Sequence, residues 1–219
     1  MEVWRFATVL FFAGRHFVPH PGISGITQFT EYPYFTRNTM FDFFKRKPKP
    51  IQCTDIVWMT GAEKQQGFLE LLKDYPDSLV MAWFPETQKL FQNCLAQCGL
   101  AHTVHLAKSG TAGGTYSAVL FLEHHPVLTK EQEVLEQFAS SKILFVNSLD
   151  EPLLRLFDGE KIVQMLRRMG HQEGESVSHH MISSSIRKAQ ENVEKKVGFA
   201  LTHYAQSAEE WFAKYLKNE

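Results

Sequence analysis

Between Thr54 and Val146, short apolar runs alternate with amphipathic stretches, and this alternation limits the fold more than any other feature of the chain. Thr54–Met59 reads as a strand around Ile56, Val57 and Trp58, closed by Gly61. Ala62–Asp74 then places Phe68, Leu69, Leu71 and Leu72 at helical spacing. Ser78–Phe84 (SLVMAWF) is continuously apolar, as a strand covered on both faces must be. Pro85 and Glu86 suit the first turn of a helix reaching Cys98, and Gly99 stops it. His102–Leu106, Tyr116–Leu122 and Lys142–Val146 supply three further strands, and Leu128–Ala139 a further helix. Strands alternating with helices in this way predict an α/β fold: a mainly parallel sheet with helices on both faces.

From Asp150 the pattern is helical. Leu153, Leu154 and Phe157 form one short apolar face before Gly159. Ile162, Val163, Leu166 and Met169 form a second before Gly170. Met181–Val197 is longer, with a thin stripe at Ile182, Ile186, Ala189 and Val193, and a last amphipathic piece holds Trp211, Phe212, Tyr215 and Leu216. The chain therefore divides into three parts: residues 1–50, an α/β domain over 51–150, and a helical segment over 151–219.

Residues 1–39 show no sustained period and contain Pro19, Pro21 and Pro33. Ala7–Gly14 faintly resembles a signal peptide, but Glu2 spoils the basic start and no clean cleavage site follows. The expectation is an over-called start, with translation opening at Met40, and a basic linker at Lys45–Pro50. No apolar run reaches the ~18 residues that a transmembrane helix needs. A net charge of −1 gives no footprint for nucleic acid or an anionic membrane. Three cysteines cannot build a disulfide framework, which favours a reducing compartment such as the cytoplasm.

Few residues suggest chemistry. Cys94, Cys98, His102 and His105 have a metal-like rhythm. Both cysteines nevertheless share a helical face with Leu90, Phe91 and Leu95, where thiols act as small core hydrophobes. No metal site is expected. His124-His125 and His179-His180 read as structural pairs, and Ser183–Ser185 as a helix cap rather than a nucleophile. Gly110–Gly114 lacks the lysine and following helix of a phosphate cradle, so it reads as a plain loop.

Asn147–Val197 reads NSLDEPLLRLFDGEKIVQMLRRMGHQEGESVSHHMISSSIRKAQENVEKKV. Its order of parts closely resembles the SecA family of preprotein translocase motors, where the second nucleotide-binding domain enters the long scaffold helix. The shared parts are Ser-Leu-acidic, an Arg-Leu-Phe end, an Arg-Met-Gly turn, Glu-Gly-Glu, a His-x-Met-Ile-Ser step, and a helix with Ala-Gln and Val-Glu. The resemblance extends more weakly back through Ser78–Ser109 and Gly114–Pro126, covering about residues 55–197. It implies a RecA-like, three-layer α/β domain followed by the start of a helical scaffold.

The motors hydrolyse ATP with a Gly-Lys-Ser/Thr loop and arginine fingers. This chain has no such loop, and no arginine lies between Arg46 and Arg155. An arginine finger needs a planar, permanently charged donor. No catalytic or cofactor-binding residue is therefore carried over. The first expectation is a non-catalytic SecA-like protein working through protein–protein contacts, with SecA, another protein or a second copy as partner. The alternatives are a subunit or fragment of an active ATP-driven translocase, with ATP as ligand, and a cytoplasmic scaffold unrelated to secretion. In the motors the similar helix runs on, whereas here the similarity ends at Gly198 and Phe199. The stripe Ile182, Ile186, Ala189 and Val193 is thus the expected interaction surface, unless the final segment with Trp211, Phe212 and Tyr215 folds back over it.

Overall fold

The computed structural model describes residues 51–108, 114, 116–138, 141–157, 159–197 and 204–216. The expected leader, most of the glycine-rich loop and the end of the similarity at Gly198 and Phe199 lie outside these residues.

Among the described residues, β1 (Cys53–Trp58), β2 (Leu79–Ala82), β3 (Val104–Leu106), β4 (Val119–Phe121) and β5 (Ile143–Ser148) form one parallel sheet in the order β1-β5-β4-β2-β3. The helices are α1 (Gly61–Asp74), α2 (Pro85–Gln97), α3 (Leu128–Leu135, continued by a 3-10 turn to Phe138), α4 (Pro152–Arg155), α5 (Gly159–Arg168), α6 (His180–Val197) and α7 (Ala208–Tyr215). None of these helices is long and apolar enough to cross a membrane.

Successive strand residues face opposite layers, and the register sorts them. Val80, Leu120 and Leu144 lie side by side and meet Phe68, Leu72, Phe91 and Leu95 of α1 and α2. Met81, Phe121 and Phe145 form the next row and meet Val134, Leu135 and Phe138 on the other face. This is the three-layer α/β architecture expected from the alternating runs. Burial of such rows against helices is the main stabilising term, at roughly 25 cal/mol per Å² of apolar surface.

Two glycines mark close approaches. A Cβ on Gly67, inside α1, would stand 2.1 Å from Cζ2 of Trp58, so the helix rests directly on the indole. A Cβ on Gly159 would stand 2.7 Å from the carbonyl oxygens of Leu149 and Leu154. Gly159 therefore opens α5 rather than closing the preceding apolar face, because only a glycine fits against those carbonyls. Gly99, at φ 66°, follows α2 as the stop expected there.

A third cluster joins the helical segment to the carboxyl ends of the strands. Val57, Met59, Phe84, Val127 and Leu149 pack with Leu153, Leu154, Leu166, Trp211 and Phe212. Val57 also exchanges two backbone hydrogen bonds with Val177, of 2.9 and 2.8 Å, which partly covers the edge strand β1.

Candidate functional site at the carboxyl edge of the sheet

Open parallel sheets bind ligands in the crevice beyond the carboxyl ends of their strands. Here that crevice is a cleft of about 460 Å³ between the starts of α1 and α2, within the range of small-ligand sites. Helix N-termini of this kind attract anions through free N–H groups and the helix dipole. Whether the cleft can take a phosphate therefore depends on what those N–H groups already bind.

At α1 two of the first N–H groups, those of Gly61 and Glu63, are taken. Thr60 caps the helix: its Oγ1 accepts from Glu63 N at 3.3 Å, and Glu63 Oε2 accepts from Thr60 N and Met59 N at 3.1 and 3.0 Å. The next N–H, on Gly61, donates to Asp150 Oδ2 at 2.9 Å. Asp150 arrives from beyond β5, 89 residues along the chain.

At α2 the arrangement repeats with a different carboxylate. Phe84 precedes the helix and offers no capping side chain. Glu123, which follows β4, takes the role. Its Oε1 accepts from Trp83 N and Phe84 N, both at 3.1 Å, and its Oε2 from Thr87 Oγ1 at 2.8 Å. Glu86 N is held by the carbonyl of Gln206 at 3.0 Å. Burial pushes Glu123 up to about 7, against the pull of Lys64, of the Thr87 hydroxyl and of Phe84 N–H.

Among the described residues, the one cation that lines this cleft is committed as well. Lys64 is buried and donates to the carbonyl of Leu122 and, at 2.5 Å, to Glu151 Oε1. Glu151 Oε1 also accepts from Ser148 N at 3.0 Å. The rest of the described lining adds Glu86 and Glu209, so carboxylates outnumber cations at the place where a phosphate would sit.

A second polar cluster surrounds His124 and lines a separate cavity. His124 stands between two carboxylates, with Nε2 2.8 Å from Asp55 Oδ1 and Nδ1 2.9 Å from Glu131 Oε2, and its ring stacks on Phe145 at 3.9 Å. Burial opposes its charge, but Glu131 and Asp55 outweigh that and raise His124 to about 10. Against its own burial, Asp55 is held below the usual carboxylate range by His124, the Ser183 hydroxyl and Arg187. Gln190 of α6 donates to Glu131 Oε2 at 3.0 Å and to the His125 carbonyl at 2.8 Å. The cluster thereby ties β1, the turn after β4, α3 and α6 together.

Several expected residues sit elsewhere than the sequence suggests. Ile182, Ile186, Ala189 and Val193 are 6%, 1%, 2% and 0% exposed, packed in the cluster that holds Trp211 and Phe212. In this fold they are core, and α6 packs on α3, α4 and β1. An interaction through them would require α6 to come away from these elements. Ser183 bonds Asp55 rather than capping α6, and the Ser185 hydroxyl donates back to Met181 O at 2.9 Å. Cys98 and Leu90 are exposed and Cys94 is half-buried, so the cysteine face of α2 is only partly core. His102 Nε2 hydrogen-bonds Pro76 O at 2.8 Å. Among the described residues no group of three or more His, Cys, Asp or Glu is placed to hold a metal.

No family model matches the chain. It is similar to the protein translocase subunit SecA of Chlorobium limicola, 42% identical over 53 residues, which is 24% of this chain and 5% of that protein. The Prosthecochloris aestuarii subunit is 40% identical over a stretch of the same length. The Bacteroides fragilis subunit is 30% identical over 118 residues, covering 46% of this chain and 11% of the relative. The chain thus has a SecA-like relationship over part of its length and matches only a small fraction of each relative.

Proposed function

We propose that this SecA-like chain does not turn over ATP and acts by binding other proteins. The observation that supports this most is the state of the carboxyl edge. Asp150 holds the Gly61 N–H at the start of α1, Glu123 holds the two N–H groups just before α2, and Lys64 is spent on Glu151 and a carbonyl. A triphosphate entering the cleft would face the carboxylates of Asp150 and Glu151, and like-charge contact there is unfavourable. It would also have to displace hydrogen bonds already made. The absent phosphate loop and finger arginines point the same way, since each such group is worth orders of magnitude in rate.

In this reading the retained α/β domain is a rigid platform, and the helices beyond Asp150 present a surface to a protein partner in the cytoplasm. The partner is either the SecA motor itself or a protein of the same export process. Phosphate release from Mg-ATP by the purified chain, alone and with a SecA motor, tests the first half. The chain alone should release phosphate at the background rate, and adding it should contribute no turnover beyond the motor's own. Turnover that Lys64→Met abolishes, with the fold retained, would overturn it.

A further inference from the structure

The cavity beside His124 measures about 610 Å³, inside the roughly 300–1,000 Å³ of small-ligand sites. β1, α3 and α6 meet around it. Two side chains on its wall are buried, yet each keeps one oxygen without a hydrogen bond. Glu131 is 4% exposed, and its Oε2 takes the donors from His124, the His125 backbone and Gln190. Its Oε1 takes none among the described residues. Gln190 is 1% exposed, and its Nε2 donates to Glu131 Oε2 and to the His125 carbonyl. Both partners are acceptors, so the amide nitrogen is fixed toward them and Oε1 turns away. The side-chain polar atoms sealed without a partner, among the described residues, are Ser78 Oγ, Trp83 Nε1 and both ends of the Asn147 amide. Glu131 Oε1 and Gln190 Oε1 are not sealed, so they open onto the cavity that both residues line.

Both open atoms are acceptors, and they stand beside more negative than positive charge. Asp55 and Glu131 flank the single imidazolium of His124. The site is therefore matched to a charged donor, which a primary ammonium supplies with three N–H groups. The rim has the opposite character. Arg187 lines the cavity and is exposed. Its charge reaches Asp55 as a field, and among the described residues it makes no hydrogen bond or close ion pair. A bare amine would meet that guanidinium as a like charge. A carboxylate next to the ammonium removes the conflict, because guanidinium and carboxylate pair through two parallel hydrogen bonds. Arg187 precedes Gln190 by three residues on α6, about 4.5 Å along the helix, so one α-amino acid can touch both. Leu128, Leu135 and Ile186 give its side chain an apolar wall. We infer that this cavity binds a free α-amino acid with an apolar side chain, its ammonium on Glu131 Oε1 and Gln190 Oε1 and its carboxylate on Arg187. The site shares no described lining residue with the carboxyl-edge cleft, so it is independent of what happens to nucleotide there.

The test is calorimetric titration of the full chain with L-leucine and with L-phenylalanine. Isoamylamine, which is leucine without its carboxylate, and isocaproate, which is leucine without its ammonium, are titrated beside them. Saturable binding of at least one amino acid and of neither fragment is expected. Arg187→Ala should weaken it by about tenfold or more, the loss of one charge-assisted pair. Glu131→Gln, which keeps the shape and removes the charge, should weaken it likewise. Arg187 is exposed, so the melting temperature of Arg187→Ala should hold; if Glu131→Gln lowers its own, Arg187→Ala carries the test. No saturable binding of either amino acid, isoamylamine or isocaproate binding as tightly as leucine, or unchanged affinity in Arg187→Ala would overturn the site. Nucleotide turnover is read separately, so failure of this site and failure of the non-catalytic reading are distinguishable.

Discussion

His124 Nε2 lies 2.8 Å from Asp55 Oδ1, across 69 residues of sequence, and the pair is buried with Glu131 on the ring's other nitrogen. Stability follows from the sign of each shift. His124 is raised to about 10, so its contribution is complete below its unfolded value near 6.5 and is lost as pH rises through about 10. Asp55 is lowered, so its contribution is present above its unfolded value and is lost as pH falls through its folded one. Both contributions are complete only between the two unfolded values, from about 4 to about 6.5.

His124→Gln removes the central cation and leaves two buried carboxylates facing each other. Breaking a buried ion cluster from one side costs about 3 kcal/mol or more. Urea unfolding at neutral pH should show that loss, and the fall in stability between about pH 6.5 and about pH 10 should shrink in the variant. An unchanged midpoint would mean that the three groups do not form a stabilising buried ion cluster.

Ile186 is 1% exposed inside the α6 stripe. Ile186→Asp should cost several kcal/mol and unfold much of the chain, since an unpaired charge would enter the core. Lys188→Glu, two residues on and exposed, should leave the melting temperature unchanged. A folded Ile186→Asp monomer that has lost only partner binding would restore the stripe as a docking face.

Gly67→Ala sets two effects against each other. Alanine is favoured over glycine in a helix by about 1 kcal/mol. The added Cβ would stand 2.1 Å from the buried Trp58 ring, and overpacking costs about 1–3 kcal/mol. Net destabilisation is predicted, visible as a lower melting temperature. A higher one would mean that the indole gives way cheaply.

Local pattern made the elements legible, and non-local contact decided everything else. The apolar run Ser78–Phe84 marked a strand, but the sheet claims only Leu79–Ala82, because Trp83 and Phe84 turn their N–H groups to Glu123. Nothing in the run near Glu123 shows that it will cap a helix 39 residues earlier. The α6 stripe was visible as a period, yet a period does not say whether the partner is Trp211 of the same chain or another protein. Met169 fell on an apolar face in sequence and is 75% exposed, because α5 ends before its side chain reaches the core. The SecA resemblance and the Thr60–Glu63 capping box lie in contiguous residues, whereas Asp150 on Gly61 and Glu123 ahead of α2 needed the fold.

The central claim is that the carboxyl edge holds its own carboxylates and does not take a nucleotide. Calorimetric titration of the chain with ATP and with ADP, in the presence of magnesium, tests it most directly. The account predicts no saturable heat at millimolar nucleotide, about the weakest range of specific binding. Saturable binding that is lost in Lys64→Met, and that competes with the Gly61–Asp150 contact, would contradict it.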